Sequence, residues 1–203
     1  MTLAARTSVG IYVFDEVEVL DFAGPFEVFS TASRVARRLD ASAAAPFAVT
    51  LVADTRRTVR ARGGLGVESQ ASFDEHPPFD VLVVPGGDVS HELGRADLAA
   101  WLARTAPKTT LTASVCTGAF LLARAGLLDG RRVTTHWEDV DELRRLFPAL
   151  RVEEGPAWLD AGSIVTSAGI SAGLDMSLHL VSRLAGVELA ERTARQMDYA
   201  WRR

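Results

Sequence analysis

The sequence predicts a three-layer α/β fold built around a mostly parallel β-sheet. Short apolar runs alternate with longer segments of helical periodicity along the 203-residue chain. The apolar runs lack the in–out alternation of half-exposed strands, which is typical of parallel strands covered on both faces. No repeat, linker or low-complexity segment divides the sequence, so we expect one domain over residues 1–203.

The individual elements follow in chain order. The predicted strands cover residues 9–14, 47–52, 80–84, 110–115, 132–135, 157–159 and 164–167, and residues 62–72 form a glycine-rich hairpin. The predicted helices start at Pro25 and, further along, cover residues 93–105, 118–125, 139–147, 172–184 and 188–199. Proline is favoured in the first turn of a helix, which places the first start at Pro25. Gly126 fits the end of the helix before it.

Three predicted strands are followed by loops that carry residues of chemical interest. These residues are Asp21, the pair Gly86 and Gly87, and Cys116. The carboxyl ends of parallel strands lie at one edge of a sheet, and ligands bind beyond that edge. We therefore expect these residues to meet in one site.

Composition and charge exclude several classes of protein. The chain has 22 Lys and Arg against 26 Asp and Glu, a formal net charge of −4, whereas a nucleic-acid binder would show a basic stripe. No apolar run reaches the 18 residues of a membrane span. Residues 1–8 lack the features of a signal peptide, and a lone cysteine forms no internal disulfide. We therefore expect a cytoplasmic protein without a nucleic-acid or membrane partner.

Cys116 lies between an apolar strand and a helix, in the arrangement of a nucleophile elbow. A sharp turn there lifts the side chain out of the sheet, and Gly118 lets the backbone pass closely. The positive end of the following helix favours a thiolate, so we expect a lowered pKa for Cys116. The alternative is that Cys116 is a small buried hydrophobic residue.

Two further features support a site but are ambiguous by themselves. Asp21 lies in an apolar neighbourhood ahead of a helix, and it is either a helix-capping charge or a pocket carboxylate shifted by burial into acid–base use. Glu27 is the rival carboxylate. Gly86 and Gly87 can direct backbone N–H groups at a ligand, as an oxyanion hole requires, or form a simple tight turn.

The histidines do not indicate a metal or a cysteine–histidine pair. None of the four has metal-ligand spacing with another histidine or with the cysteine, so no metal site is expected. Thr117, not histidine, follows Cys116, and structural hydrogen bonding is the expected role of His136. Residues 63–66 lack the strand and helix of a phosphate-binding loop, and we expect no cofactor.

Several motifs together resemble the DJ-1/PfpI superfamily. They are residues 21–29 (DFAGPFEVF), 85–87 (PGG), 114–119 (SVCTGA), 126–130 (GLLDG), 134–137 (TTHW) and 167–175 (SAGISAGLD). The resemblance covers nearly the whole chain and implies a flavodoxin-like α/β/α sandwich with a reactive elbow cysteine. Peptidases of the superfamily resemble this chain less, because they carry histidine after the cysteine and usually glutamate where this chain has Asp21.

The branch resembled most is that of the isonitrile hydratases, in which a cysteine attacks the terminal carbon of an isonitrile and water completes conversion to a formamide. The resemblance implies Cys116 as nucleophile and Asp21 as its hydrogen-bonded acid and base, with Thr117 beside the sulfur. The backbone at Gly86, Gly87 and Thr117 would line an anion pocket, and Gly118 belongs to the same substrate-binding turn.

Other functions remain open at this point. The sensor domains of AraC-type transcription regulators carry phrases much like residues 114–121, so a ligand-sensing domain without turnover is the alternative from a different class. A third possibility is a redox or carbonyl-stress protein with an oxidisable Cys116. The resemblance also implies a homodimer.

Overall fold

A central β-sheet organises residues 6–42 and 44–203, the part of the chain that this computed structural model describes. Residues 1–5, on which part of the signal-peptide argument depends, lie outside it. The strands are β1 (Thr7–Tyr12), β2 (Phe47–Ala53), β3 (Thr58–Arg60), β4 (Gly66–Glu68), β5 (Ala71–Ser72), β6 (Val81–Val84), β7 (Leu111–Val115), β8 (Arg132–Val133), β9 (Arg151–Val152), β10 (Trp158–Asp160) and β11 (Ile164–Ser167). The α-helices are α1 (Val19–Leu39), α2 (Ser90–Leu93), α3 (Ala96–Thr105), α4 (Gly118–Arg124), α5 (Val140–Leu146), α6 (Ala172–Ala185) and α7 (Val187–Gln196).

The main sheet is mostly parallel, as the sequence predicts. Its strand order is β10-β11-β7-β6-β1-β2-β5. β1 pairs in parallel with β2 and β6, and β7 pairs in parallel with β6 and β11, whereas β10 runs antiparallel to β11. Every residue of β6 and β7 is buried, which explains why these strands are apolar without alternation. The predicted α/β fold class is therefore confirmed.

Helices form a layer on each side of this sheet. α1, α6 and α7 pack on one another in one layer, and α2, α3 and α4 pack together in the other. The core between the layers contains aromatic and aliphatic side chains with almost no exposure, among them Tyr12, Phe29, Leu82, Trp101 and Leu122. Among the described residues, no helix has both the length and the apolar character needed to cross a bilayer.

A glycine-rich hairpin lies beside the carboxyl end of β1, but it spans residues 58–68, whereas the sequence predicts it over residues 62–72. β3 and β4 pair antiparallel and are joined through a 3₁₀ turn at Arg62–Gly64. The Glu16 N–H donates to the Arg60 carbonyl oxygen at 2.8 Å, and the Arg62 N–H donates to the Val17 carbonyl oxygen at 3.0 Å. These bonds fix the hairpin against the loop between β1 and α1.

The first helix begins six residues before the predicted start. α1 begins at Val19, so Asp21 lies in its first turn and not in a loop ahead of it, and Pro25 lies inside the helix. Contact with the neighbouring loop overrides the local proline signal, because the Glu18 N–H donates to the Gly86 carbonyl oxygen at 2.9 Å. Pro25 has no N–H to donate to the carbonyl group of Asp21, four residues earlier.

Two other helices differ less from their predicted bounds. The helix predicted over residues 93–105 is interrupted at Gly94 and Arg95, so that α2 and α3 are separate helices. Glycine is the weakest helix former after proline, which accounts for the break. The last predicted helix ends at Gln196, three residues early.

The C-terminal residues pack against the start of α6. Asp175 is fully buried, and its carboxylate accepts hydrogen bonds from the Arg202 backbone N–H at 2.9 Å and from its Nε at 3.0 Å. The Trp201 Nε1–H donates to the Asp175 carbonyl oxygen at 3.1 Å. Tyr199 and Trp201 both pack against the hydrophobic core. A buried carboxylate thus depends on the chain's last residues for its charge partner.

We expect Arg202→Met to lower the free energy of unfolding by about 1–3 kcal/mol, because it leaves the buried Asp175 carboxylate without its cationic partner. Chemical denaturation at pH 7 measures the change. The control is Arg192→Met, which removes a surface ion pair with Glu188 and should cost less than about 0.5 kcal/mol. Equal effects of the two substitutions would contradict this account of the tail.

Candidate active site

The backbone turns sharply at Cys116, between the end of β7 and the start of α4. Cys116 has a φ of 54°, in the left-handed region that costs a residue with a side chain about 1–3 kcal/mol. Its N–H donates to the Ser167 carbonyl oxygen at 3.2 Å, and its carbonyl oxygen accepts a hydrogen bond from the Thr135 hydroxyl at 2.8 Å. These bonds hold the strained conformation in which the thiol leaves the sheet, as a nucleophile elbow requires.

Two glycines make the turn possible. A Cβ on Gly118 would lie 2.0 Å from the Val84 carbonyl oxygen, so no larger residue fits where α4 starts beside β6. Gly87 has a φ of 140°, and a Cβ there would lie 2.2 Å from the Glu16 carbonyl oxygen. The loops after β1, β6 and β7 therefore approach one another through their backbones.

Asp21 projects from the first turn of α1 into this junction and is fully buried. Its Oδ2 accepts a hydrogen bond from the Gly86 N–H at 3.0 Å. Its Oδ1 is buried and has no hydrogen-bond partner of regular geometry within the described residues. Burial raises the pKa of Asp21 to about 7, against the opposing effect of the Gly86 hydrogen bond. Close to neutral pH this carboxyl group can therefore both hold and release a proton.

Thr117 joins the loop after β7 to the loop after β6. The Gly87 N–H donates to the Thr117 hydroxyl oxygen at 2.9 Å, and that hydroxyl donates to the Gly87 carbonyl oxygen, also at 2.9 Å. The N–H groups of Gly86 and Gly87 are thus occupied by Asp21 and Thr117. A ligand that used them as anion donors would have to displace these two side chains.

The thiol of Cys116 lies beside Asp21, and each group acts on the other's proton affinity. Burial first, and then the Asp21 carboxylate, raise the pKa of Cys116 to about 12, while the Thr117 N–H acts in the opposite direction. The predicted lowering of this pKa is wrong. The field of α4, a helix of seven residues, does not offset burial next to a second acidic group. Cys116 therefore rests as a thiol, and its ionisation is coupled to that of Asp21.

The structure adds charged groups that the sequence did not single out. Glu18, one turn before Asp21, raises the pKa of Asp21, and Arg62 from the hairpin lowers it. The two side chains face each other, with Arg62 Nη1 3.6 Å from Glu18 Oε2. Asp139, in the 3₁₀ turn before α5, adds to the raised pKa of Cys116. If α1 had been predicted to start at Val19, the spacing of three residues between Glu18 and Asp21 would have placed the two carboxylates side by side on the helix. No local feature of the sequence indicates that Arg62 or Asp139 lies near the site.

Other candidate residues lie elsewhere or differ from expectation. Glu27 accepts hydrogen bonds from Thr31 and Arg34 on the surface of α1 and is not part of the site. His136 does not make the full set of structural hydrogen bonds expected of it, because its buried Nδ1 has no partner within the described residues. Trp137 is 70% exposed. Across residues 6–42 and 44–203, no group of three or more His, Cys, Asp or Glu is arranged to hold a metal ion.

Comparison with known proteins identifies the family of this chain and several of its relatives. A DJ-1/PfpI family model matches residues 7–183. An isonitrile hydratase of Pseudomonas putida is 32% identical over 193 residues, which cover 95% of this chain and 78% of that protein. The HTH-type transcriptional regulator CdhR of Pseudomonas aeruginosa is 33% identical over 138 residues, which cover 68% of this chain and 41% of the regulator. A crystal structure of a ThiJ/PfpI family protein from Pseudomonas syringae, 26% identical, superposes with a TM-score of 0.84 and covers 97% of this chain and 76% of that one.

The raised pKa of Asp21 makes the stability of the fold depend on pH. The unfolded chain releases this proton near pH 4 and the folded chain near pH 7, so wild-type stability falls as the pH rises between these values. The asparagine of Asp21→Asn has no proton to release in this range. We therefore expect the free energy of unfolding of the variant, relative to that of wild type, to increase between these pH values by at most about 4 kcal/mol. Denaturant unfolding at pH 5 and pH 8 measures this difference. The surface variant Glu27→Gln should show no such trend, and a pH-independent effect of Asp21→Asn would contradict a raised pKa.

We expect alkylation of Cys116 by iodoacetamide to have a midpoint well above the ordinary thiol value of about 8.5. Asp21→Asn should move that midpoint to lower pH, since it removes the charge that opposes the thiolate. The rate of modification, followed by mass spectrometry from pH 6 to 11, tests both statements. A wild-type midpoint below 8.5 would show that the thiolate is stabilised, and an unchanged midpoint in the Asn variant would show that the charge of Asp21 does not oppose it.

Proposed function

The chain belongs to the DJ-1/PfpI family, and on that premise we propose that it is a cysteine-dependent hydratase that converts small isonitriles into N-substituted formamides. The observation that carries the proposal is the buried pair of Asp21 and Cys116. One group is a nucleophile held at a strained turn, and the other is an acid whose pKa of about 7 lets it give and take a proton. Asp21 Oδ1, buried and without a regular partner among the described residues, supplies the atom for that transfer.

The first step forms a covalent adduct. The Cys116 sulfur attacks the terminal carbon of the isonitrile, and its proton passes to the Asp21 carboxylate. Asp21 then delivers this proton to the same carbon, so that a C–S bond and a C–H bond form and a thioimidate results. Transfer of the thiol proton removes the carboxylate charge that opposes the thiolate, so the two changes favour each other.

The second step releases the product. Water adds to the thioimidate carbon, and one of its protons passes through Asp21 to the nitrogen, which leaves a hydroxyl group on that carbon. As the C–S bond breaks and the formamide leaves, the hydroxyl proton passes to Asp21, which returns it to the departing sulfur as the thiol proton. The sum is the addition of one water to one isonitrile, with both side chains returned to their starting states.

Thr117 holds the loop that carries Cys116 next to the loop that binds Asp21. Its hydroxyl is bound to Gly87, next to the Gly86 N–H that fixes Asp21 Oδ2. Proteolysis is less consistent with this site, because the residue after the cysteine offers no imidazole to protonate an amine leaving group.

Ligand sensing without turnover is the second candidate. The observation in its favour is the similarity to the regulator CdhR, which matches this chain at about the same identity as the isonitrile hydratase but over a shorter segment. A sensor would bind a small electrophile at Cys116 and release no product. A small-molecule partner, a homodimer and a cytoplasmic location stay predictions under either function.

The decisive measurement is formamide production from para-nitrophenyl isonitrile, followed by absorbance. We expect turnover by the wild type, a loss of at least about 10³-fold in Cys116→Ala, and a loss of about 10²–10⁴-fold in Asp21→Asn. The rate should fall as the pH drops through about 7, because the carboxylate form of Asp21 accepts the thiol proton.

The matched control is Glu27→Gln, which changes another carboxylate of α1 outside the site and should stay within about twofold of wild type. Full activity in Cys116→Ala would rule out covalent catalysis. Binding of the isonitrile by the wild type with no formamide formed would favour the sensor.

A further inference from the structure

We propose a second ligand site, for a small aromatic carboxylate, in a cavity of about 310 Å³ between α3 and residues 73–79. Lys108 lines this cavity just before the amino end of β7, whereas Cys116 follows the carboxyl end of the same strand. Five residues of extended chain span about 16 Å. The cavity is therefore separate from the candidate active site.

Aromatic side chains form a rigid apolar wall. The Trp101 Nε1–H donates to His76 Nε2 at 3.1 Å, so His76 carries its proton on Nδ1, which donates to the Pro77 carbonyl oxygen at 2.8 Å. The imidazole also stacks on the Phe79 ring, with centroids 4.7 Å apart and planes 8° from parallel. Both ring nitrogens are occupied, so the imidazole is held in place. Trp101 and Phe79 are themselves almost fully buried, and the partly exposed His76 ring is the flat surface that a ligand would meet.

The rest of the lining includes polar groups without partners. Arg104 and Lys108 are exposed side chains that line the cavity, and neither makes an ion pair or hydrogen bond with another described residue. Thr105 lies between them in sequence and is only 8% exposed, yet its hydroxyl has no hydrogen-bond partner in the described parts of the chain. Its oxygen atom is not fully enclosed, so the hydroxyl can bond to a ligand atom or to water in the cavity.

The charge of the lining selects an anion. No Asp or Glu lines the cavity, although acidic residues outnumber basic ones in the chain as a whole. A carboxylate can accept two parallel hydrogen bonds from the Arg104 guanidinium and a further one from the Thr105 hydroxyl, with Lys108 nearby as a point charge. Arg104, Thr105 and Lys108 thus supply the donors that an acidic head group requires.

The aromatic wall selects the rest of the ligand. A cavity of this size is at the small end of ligand sites and suits a single ring with one carboxylate. An inorganic anion such as phosphate would pair with the cations but would leave the space beside His76 and Phe79 without an apolar group. A neutral ring would fill the wall but leave Arg104 and Thr105 unpaired. An aryl carboxylate contacts the aromatic side chains with its ring and the polar groups with its carboxylate.

The test uses benzoate and the full chain, in which Lys108 is the sole lysine. Isothermal titration calorimetry should give a Kd of about 1 mM or lower, as expected for a nine-atom ligand. Benzoate should also protect Lys108 from acylation by sulfosuccinimidyl acetate, with half-protection at the same concentration. Arg104→Gln should weaken binding at least about 10-fold, and Thr105→Val about 3-fold.

Controls separate this site from charge effects and from Cys116. Acetate and benzyl alcohol should each bind at least about 10-fold more weakly than benzoate. Arg124→Gln, which changes an exposed arginine at the end of α4, and Cys116→Ala should both bind benzoate as wild type does. Circular dichroism melts confirm that each variant folds. No binding up to about 20 mM, equal binding of acetate, or unchanged binding in Arg104→Gln would each overturn the proposal, and none of these results bears on the hydratase activity.

Discussion

The burial of one carboxyl group, that of Asp21, is the constraint on which the rest of the site depends. A carboxylate without exposure costs several kcal/mol unless it is paired or hydrogen-bonded, and Asp21 receives one backbone N–H, from Gly86. Its proton is therefore held close to neutral pH, and the neighbouring thiol keeps its own. The chemistry available at this junction is a transfer of protons between two weak acids, not attack by a permanently ionised sulfur.

The surrounding backbone serves to keep these two groups together. Gly118 and Gly87 allow three loops to meet at distances that no side chain would permit, and Thr117 closes the junction with a pair of hydrogen bonds. Glu18 and Arg62, from two different elements, act in opposite directions on Asp21. The hairpin that carries Arg62 is consequently coupled electrostatically to the site.

Much of this arrangement could be predicted from the chain because it follows from local rules. The apolar runs identify parallel strands, parallel strands gather their carboxyl ends, and Cys116 between a strand and a helix is a recognisable turn. The direction of its pKa was predicted wrongly, since helix polarity can be inferred from local sequence while burial and the approach of Asp21 depend on tertiary packing. The start of α1 was placed too late for a similar reason: a contact with Gly86 from a distant loop outweighs the preference of Pro25.

The exposure of Trp137 gives the molecule a built-in optical probe. Its indole stands 70% in solvent, whereas the Trp101 ring is sealed in the core. Water relaxes the excited state of an exposed indole. The other two tryptophans, Trp158 and Trp201, are only partly exposed, so Trp137 contributes most to the red edge of the emission spectrum. That ring lies two residues from Thr135, whose hydroxyl holds the Cys116 carbonyl oxygen. Events at the sulfur can accordingly be followed in the native protein by selective quenching with acrylamide, without attaching a dye.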